Sequence, residues 1–298
     1  MNKSATVLAA GDAQVHTIGQ LLKAVTAQLE TSEMLEAQGE AKDIVAALLD
    51  VPRFWPAANM ENEAPAALIE SAIRAAGKRG TGAPLVYAVG RASFRHLTLE
   101  VDENVLIPRV ETERLVDVIL ERCTPSVRTI ADIGTGSGAI ALSLAYESDF
   151  DIVIGTDISR GALATAENNA RLLASALRSP VEFLNGAVLA PLVGRRVDAI
   201  VSNPPYIAYS EGQGLPRSVR DWEPAVALLS GDDGLAVTRR IIAQASGVLA
   251  RGGILALEVD TRRAGSVAEM IAVDGRYIDI EVLPDLTGRE RFVFAWRS

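Results

Sequence analysis

The sequence predicts an α/β fold: a doubly wound, mostly parallel sheet, preceded by a small helical domain and a β-hairpin. Three observations predict it. From Glu111 onward, short apolar runs alternate with amphipathic stretches, the pattern of repeated β–α units. The turn Gly134-Thr135-Gly136-Ser137-Gly138 falls where the first apolar run gives way to a helical pattern. Before Gly82 the apolar residues recur with helical rather than strand spacing.

Ile18, Leu21, Leu22, Val25 and Leu29 recur at i, i+3, i+4 and i+7 and predict a first helix. Ile44, Ala47 and Leu48, ending before Pro52, predict a second, and Leu68, Ile69 and Ile73, stopping near Gly77, a third. They make a small bundle over residues 1–82, closed by Gly80, Gly82 and Pro84. In 83–108, Phe94, Leu97, Leu99 and Val101 alternate with period two. Val105-Leu106-Ile107 then runs apolar into Pro108, a hairpin linking the two domains. The main domain occupies 109–298. Its strands are expected at 129–133, 151–155, 181–184, 197–201 and 253–258, and near 277–283 and 291–295. Helices are expected through Ile140 and Leu144, through Leu163 and Ala166, and near 236–249. The acidic, glycine-containing stretch 209–215 reads as a loop.

Composition narrows the chemistry. A net charge of −9 disfavours stable binding to nucleic acid, which needs many phosphate contacts. The lone cysteine, Cys123, allows no intramolecular disulfide, and with two histidines no metal site is expected. The apolar stretch near the N-terminus is too short for a signal peptide and no run is long enough to span a membrane, so a cytoplasmic protein is expected.

The glycine turn lets a ligand approach the backbone and aims helix N–H groups at it. Its GxGxG spacing, with Asp132 just before it, suits a nucleoside without a pyrophosphate better than the GxGxxG of a dinucleotide site. Asp157, ending the second strand, is placed to accept both ribose hydroxyls. The plain structural alternative makes it the N-cap of a helix starting near Gly161. After the fourth strand comes Asn203-Pro204-Pro205-Tyr206. Two prolines fix the backbone there, so the Pro204 carbonyl and the Asn203 side-chain oxygen form an acceptor pair suited to an NH2 group. Tyr206 offers a flat ring for a planar substrate. Two acceptors on its protons would shift electron density onto an amide or exocyclic aromatic nitrogen and orient its lone pair. This chemistry leaves adenine and glutamine equally open.

The sequence resembles the HemK/PrmC family, the protein-glutamine N5-methyltransferases acting on peptide chain release factors. The resemblance covers nearly the whole chain. It is carried by Pro84-Leu85-Val86-Tyr87 with Gly90 and Phe94, by Leu106-Ile107-Pro108-Arg109-Val110-Glu111-Thr112-Glu113, and by the 132–138 turn. Ser202-Asn203-Pro204-Pro205-Tyr206-Ile207, Glu223-Pro224 and Asp285-Leu286-Thr287-Gly288-Arg289 complete it. The resemblance implies a seven-stranded, Rossmann-like (class I) methyltransferase domain behind a helical substrate-recognition domain. It implies S-adenosylmethionine against Asp132, Gly134, Thr135, Gly136, Ser137 and Gly138, with Asp157 on the ribose and Asn203 at the meeting point with the acceptor. Asn203, Pro204, Pro205 and Tyr206 would hold the target amide, walled also by Phe94, and the target would be the glutamine of a release factor's GGQ motif. Where the family often carries Asp and an aromatic beside the adenine, Asn185-Gly186-Ala187-Val188 stands here, so Val188 is expected to give the adenine apolar contact alone. Arg109, Glu111 and Glu113 are expected either to shape the pocket mouth or to complement a helix dipole. The competing readings are an adenine-N6 or other nucleic-acid amino-methyltransferase and a non-catalytic cofactor-binding protein of the same fold.

Overall fold

The structure is a computed structural model describing residues 15–298; residues 1–14, part of the expected helical region, lie outside the described residues. Compactness divides the chain between Val89 and Gly90.

The first unit is helical: α1 (Ile18–Glu30), α2 (Ala37–Leu49), α3 (Trp55–Ala58), α4 (Ala66–Gly80) and α5 (Leu85–Val89). Thr17 caps α1 in a capping box with Gln20, which satisfies two backbone donors that the helix start leaves free. The α1 face is the expected one: Ile18, Leu21, Leu22, Val25 and Leu29 are all buried. Burial of each such side chain contributes roughly 1.5–3 kcal/mol. The other two faces differ from expectation. Val45 and Ala46 are buried beside Ile44 while Ala47 is exposed, and in α4 the buried residues after Leu68 are Ala72, Ala75 and Ala76, with Ile73 outside. Alanines let α1, α2 and α4 approach closely, so the face follows residue size rather than hydropathy. Helix α5 corrects the hairpin expected from residue 83 onward. Pro84 opens a helical turn, whose Ala88 N–H reaches the Pro84 carbonyl at 2.9 Å, and Leu85 and Ala88 pack on the helical core.

The second unit begins with the hairpin β1 (Arg91–Phe94) and β2 (Leu97–Glu100). Its two-residue turn carries Arg95 at φ +52°, and the Arg95 guanidinium reaches Glu147 and Asp117, each at 2.6 Å. The apolar run after it forms no strand; the 103–108 segment is irregular up to Pro108. Then follow α6 (Val110–Arg122), β3 (Thr129–Ile133), α7 (Ala139–Glu147), β4 (Ile152–Asp157), α8 (Arg160–Leu173), β5 (Val181–Asn185) and β6 (Val197–Ser202). The short helices α9 (Arg217–Arg220) and α10 (Ala225–Leu228) precede α11 (Ala236–Val248), β7 (Leu249–Glu258), α12 (Ala264–Asp274), β8 (Tyr277–Pro284) and β9 (Glu290–Arg297). The stretch expected as a loop at 209–215 forms a 3-10 turn, Tyr209–Gly214, held by Glu211, which accepts from Ala208 N at 3.0 Å and from Arg263 at 2.8 Å.

The seven-stranded sheet has the order β5-β4-β3-β6-β7-β9-β8. β3 pairs in parallel with β4 on one side and β6 on the other, and β9 is antiparallel to β7 and β8. Alternate residues feed opposite faces: Phe292 and Phe294 enter one core with Leu115, Ile119 and Ile140, while Val293 and Ala295 enter the other with Ile241 and Val267. Burial on both faces explains why these strands read as continuous apolar runs. The chain leaves β3 towards β4 and reaches β6 on β3's other side. Connections therefore diverge beyond the carboxyl ends of β3 and β6, opening the crevice where such folds bind ligands.

Candidate active site

The glycine turn leaves β3 into that crevice. Gly134 and Gly136 have φ of +74° and +57°, and a Cβ built on either meets nothing within 4 Å. Both line a cavity of about 180 Å³ together with Asp157, Gly186, Ala187, Val188, Asn203, Pro204 and Pro205. Thr135, Ser137 and Gly138 shape the turn from beneath without lining the cavity. Asp132 is fully buried; its Oδ2 accepts from Thr135 Oγ1 at 2.6 Å and from Ala141 N at 3.2 Å, while Oδ1 has no partner. Burial pushes its carboxyl up to about 7.

Asp157 closes β4 over the turn. Its Oδ2 accepts from Gly136 N at 3.0 Å and its Oδ1 from Ser159 N at 2.8 Å. Burial raises its pKa while these backbone donors lower it. The helix cap belongs to Ser159, whose hydroxyl accepts from Ala162 N at 3.1 Å, so Asp157 is not the N-cap of α8. Each of its oxygens keeps a second lone pair for a ligand hydroxyl. In the next loop Asn185 donates to the carbonyls of Asp157 and Ile158, and Val188 sits at φ +54°. A β-branched residue in that region is strained by roughly 1–3 kcal/mol, and here the strain lies on the cavity wall.

Ser202, at the end of β6, donates to the Ile133 carbonyl at 2.6 Å and so ties the two strand ends together. Asn203 follows. Its Nδ2 donates to Thr112 Oγ1 at 3.0 Å, which commits that end of the amide and leaves Oδ1 as the acceptor it can offer. Asn203 and Pro204 line two cavities at once. The second, also about 180 Å³, is walled by Tyr206, Arg109, Leu106, Ile207, Leu215 and Val219. Burial, reinforced by the Glu258 charge, pushes the Tyr206 phenol up to about 12, so it stays protonated. Arg109 binds both oxygens of buried Glu223 at 2.7 and 2.8 Å, joining segments more than a hundred residues apart. Glu113 accepts from Arg95 N at 3.0 Å, and Glu111 is exposed at the start of α6. Phe94 is an expected substrate-wall residue that the structure brings to neither cavity. It is 1% exposed in the core with Leu97 and Leu115.

Sequence reasoning missed several contributors. Asn104, Val105 and Leu106 line the first cavity, and Arg240 stands in its wall from α11. Asn169, 1% exposed, binds Glu100 N and O and the Ser137 carbonyl, clamping β2, α8 and the glycine turn together. Apart from Leu106, which opens the 106–113 motif, none of these stands in a motif; their place at the site is visible only once long-range pairing is in place.

The residues fit a nucleoside with a cationic centre: open glycines on the backbone side, an acceptor carboxylate at Asp157, and at the turn's base the unpartnered oxygen of Asp132. Fold and site together define a class I S-adenosylmethionine-dependent methyltransferase. The family description "Methyltransferase small domain" matches residues 111–214. The chain is 40% identical over 282 residues to the release factor glutamine methyltransferase of Moorella thermoacetica, covering 94% of this chain and 99% of that one. It is 34% identical to the Bacillus cereus protein of the same name, covering 93% and 98%. Among solved structures, the catalytic domain of hMettl16 in complex with a MAT2A 3′UTR hairpin superposes with a TM-score of 0.53 at 17% identity, over 75% of this chain and 81% of that one, a likeness of fold alone. The chain belongs to the release factor glutamine methyltransferase family.

Proposed function

We propose that this chain methylates the N5 amide nitrogen of the glutamine in the GGQ motif of peptide chain release factors, in the cytoplasm, with residues 1–82 as the substrate-recognition domain. The observation that carries the reading is the pair of cavities sharing Asn203 and Pro204, one bordered by the glycine turn and Asp157, the other by Tyr206 and Arg109. S-adenosylmethionine supplies an electrophilic methyl group when bound in the first. Asn203 Oδ1 and the Pro204 carbonyl accept the two N–H bonds of the glutamine amide. They hold its plane and favour the positive charge that develops on nitrogen. The Tyr206 ring lies on the substrate side and excludes water from the amide. Asp157 takes the ribose hydroxyls, Val188 gives apolar contact to the adenine, and Asp132 with Thr135, Ser137 and Gly138 holds the turn in shape. Among the described residues no helix is long and apolar enough to cross a membrane.

The test supplies labelled S-adenosylmethionine with a release factor, the same factor carrying Gln→Ala in GGQ, and duplex DNA. Label on the unaltered factor alone is expected. Label on DNA would move the assignment to an amino-methyltransferase of nucleic acid, and cofactor binding without transfer to any of the three would make the chain a binding protein.

A further inference from the structure

A polar chain runs behind Asn203, away from both cavities. Asn203 Nδ2 donates to Thr112 Oγ1 at 3.0 Å, and Thr112, near the start of α6, is 4% exposed. The Glu258 carboxylate, at the end of β7, faces the Thr112 hydroxyl. Glu258 is 1% exposed, and its Oε2 has no partner. Neither Thr112 nor Glu258 lines either cavity.

An asparagine amide turned over by half a rotation keeps its shape but exchanges C=O for NH2. One of the two orientations offers an acceptor to a substrate NH2; the other offers a donor and repels it. A hydroxyl alone cannot choose, because it donates or accepts equally well. An ionised carboxylate can only accept. With Glu258 ionised, the Thr112 proton is drawn to Glu258, and the lone pairs left on Oγ1 can receive only Nδ2–H. We propose that Thr112 and Glu258 are positioning residues for methyl transfer, locking the Asn203 amide with its carbonyl towards the acceptor nitrogen. This inference rests on the role given to Asn203 in the proposed function.

The lock is sensitive to pH. Glu258 is pushed up to about 7, chiefly by burial. The charged and titratable groups facing it are Arg109 and Glu111 from the entry to α6, Arg291 from β9, and Tyr206 from the loop after β6. Arg291 is itself held by Asp285 at 2.9 Å, which gives the 285–289 turn a place in the same network. As pH falls, a protonated Glu258 can donate to Thr112, whose own proton is then free to meet Asn203 Oδ1. Turnover therefore declines on the acid side.

The experiment compares the full chain with Thr112→Val, Thr112→Ser and Glu258→Gln. It measures kcat and KM for a release factor, cofactor Kd and thermal melting between pH 5.5 and 8.5. Thr112→Val should lose about thirtyfold or more in kcat, the scale of one misplaced oriented group, with cofactor Kd within about threefold. Thr112→Ser, which keeps the hydroxyl, should restore most of that rate. Glu258→Gln should be slow at pH 8, about tenfold below wild type, and should lack the acid limb of the wild-type profile. Wild-type kcat in Thr112→Val, an equal loss in Thr112→Ser, or an acid limb that persists in Glu258→Gln would overturn the proposal. If Thr112→Val fails to melt cooperatively, the Glu258→Gln profile decides alone. An unaltered enzyme that transfers nothing to the release factor would instead overturn the functional reading beneath it.

Discussion

Asn203 has one amide group with two ends, and each end faces a different demand. Nδ2 is committed to Thr112, so Oδ1 is the end left for the role proposed for it. Asn203→Ala should therefore cut initial rates of transfer by about a hundredfold or more, the usual cost of removing one preorganised polar group from a transition state. Cofactor affinity, measured by calorimetry, should stay within about tenfold; unimpaired transfer would remove Asn203 from the mechanism. The tetrapeptide itself was legible in the sequence because two prolines after a strand constrain what the backbone can do. Its support was not. Thr112 and Glu258 are ordinary residue types separated by most of the sheet domain, and nothing in their local spacing marks them as partners. Glu258 also shapes stability. Its folded pKa of about 7 lies above the ordinary value of 4.5, so the folded chain holds the proton more tightly. Its contribution is complete below about pH 4 and is lost as pH rises through 7, a change on the order of 3 kcal/mol. Glu258→Gln does not titrate, so the variant's melting temperature should gain on the wild type between pH 5 and pH 8. A constant difference across that range would refute the assignment.

Strands and the turns that follow them divide the labour between holding and binding. Gly155, inside β4, and Gly136, in the turn after β3, illustrate the split. A Cβ at Gly155 would stand 2.5 Å from the Phe183 ring and 2.9 Å from Thr135 Oγ1, whereas one at Gly136 meets nothing. Gly155→Ala should destabilise by about 1–3 kcal/mol through overpacking. Gly136→Ala should cost about 1–2 kcal/mol through its φ of +57° alone, yet weaken cofactor binding tenfold or more, because its methyl enters the ligand's space. Chemical denaturation alongside cofactor titration separates the two; equal losses of affinity in folded variants would show that the turn's openness does not matter. The sheet strands were legible because burial on both faces makes them apolar throughout. The segments that failed to follow pattern were those where size or a proline outweighs hydropathy: the alanine faces of α2 and α4, and the helical turn after Pro84. Phe94 read as a pocket wall because of its neighbours in the motif; the period-two alternation that predicted its strand also points it into the core with Leu97 and Leu99.

At the scale of the whole molecule, the chain carries separate cores. The helical unit closes around Ile18, Leu21, Val25 and Ile44, and the sheet unit around two clusters, one on each face. Every residue of both cavities belongs to the second unit. The hairpin goes with that unit as well: Arg95 binds Glu147 and Asp117, and Asn169 binds Glu100, so a cut inside 91–100 would remove bonds that hold α6, α7 and α8. The physically sound cut lies at Val89/Gly90. Residues 90–298 produced alone should melt cooperatively and bind S-adenosylmethionine within about tenfold of the full chain, since an intact site and core retain their own free energy. Transfer to an intact release factor should fall by at least about a hundredfold, because binding energy from parts of a substrate remote from the reacting atom raises turnover as well as affinity. A short peptide bearing GGQ, too small to use a recognition domain, should be methylated slowly and about equally by both proteins. Full activity of 90–298 on the intact factor would show that residues 1–89 serve another purpose.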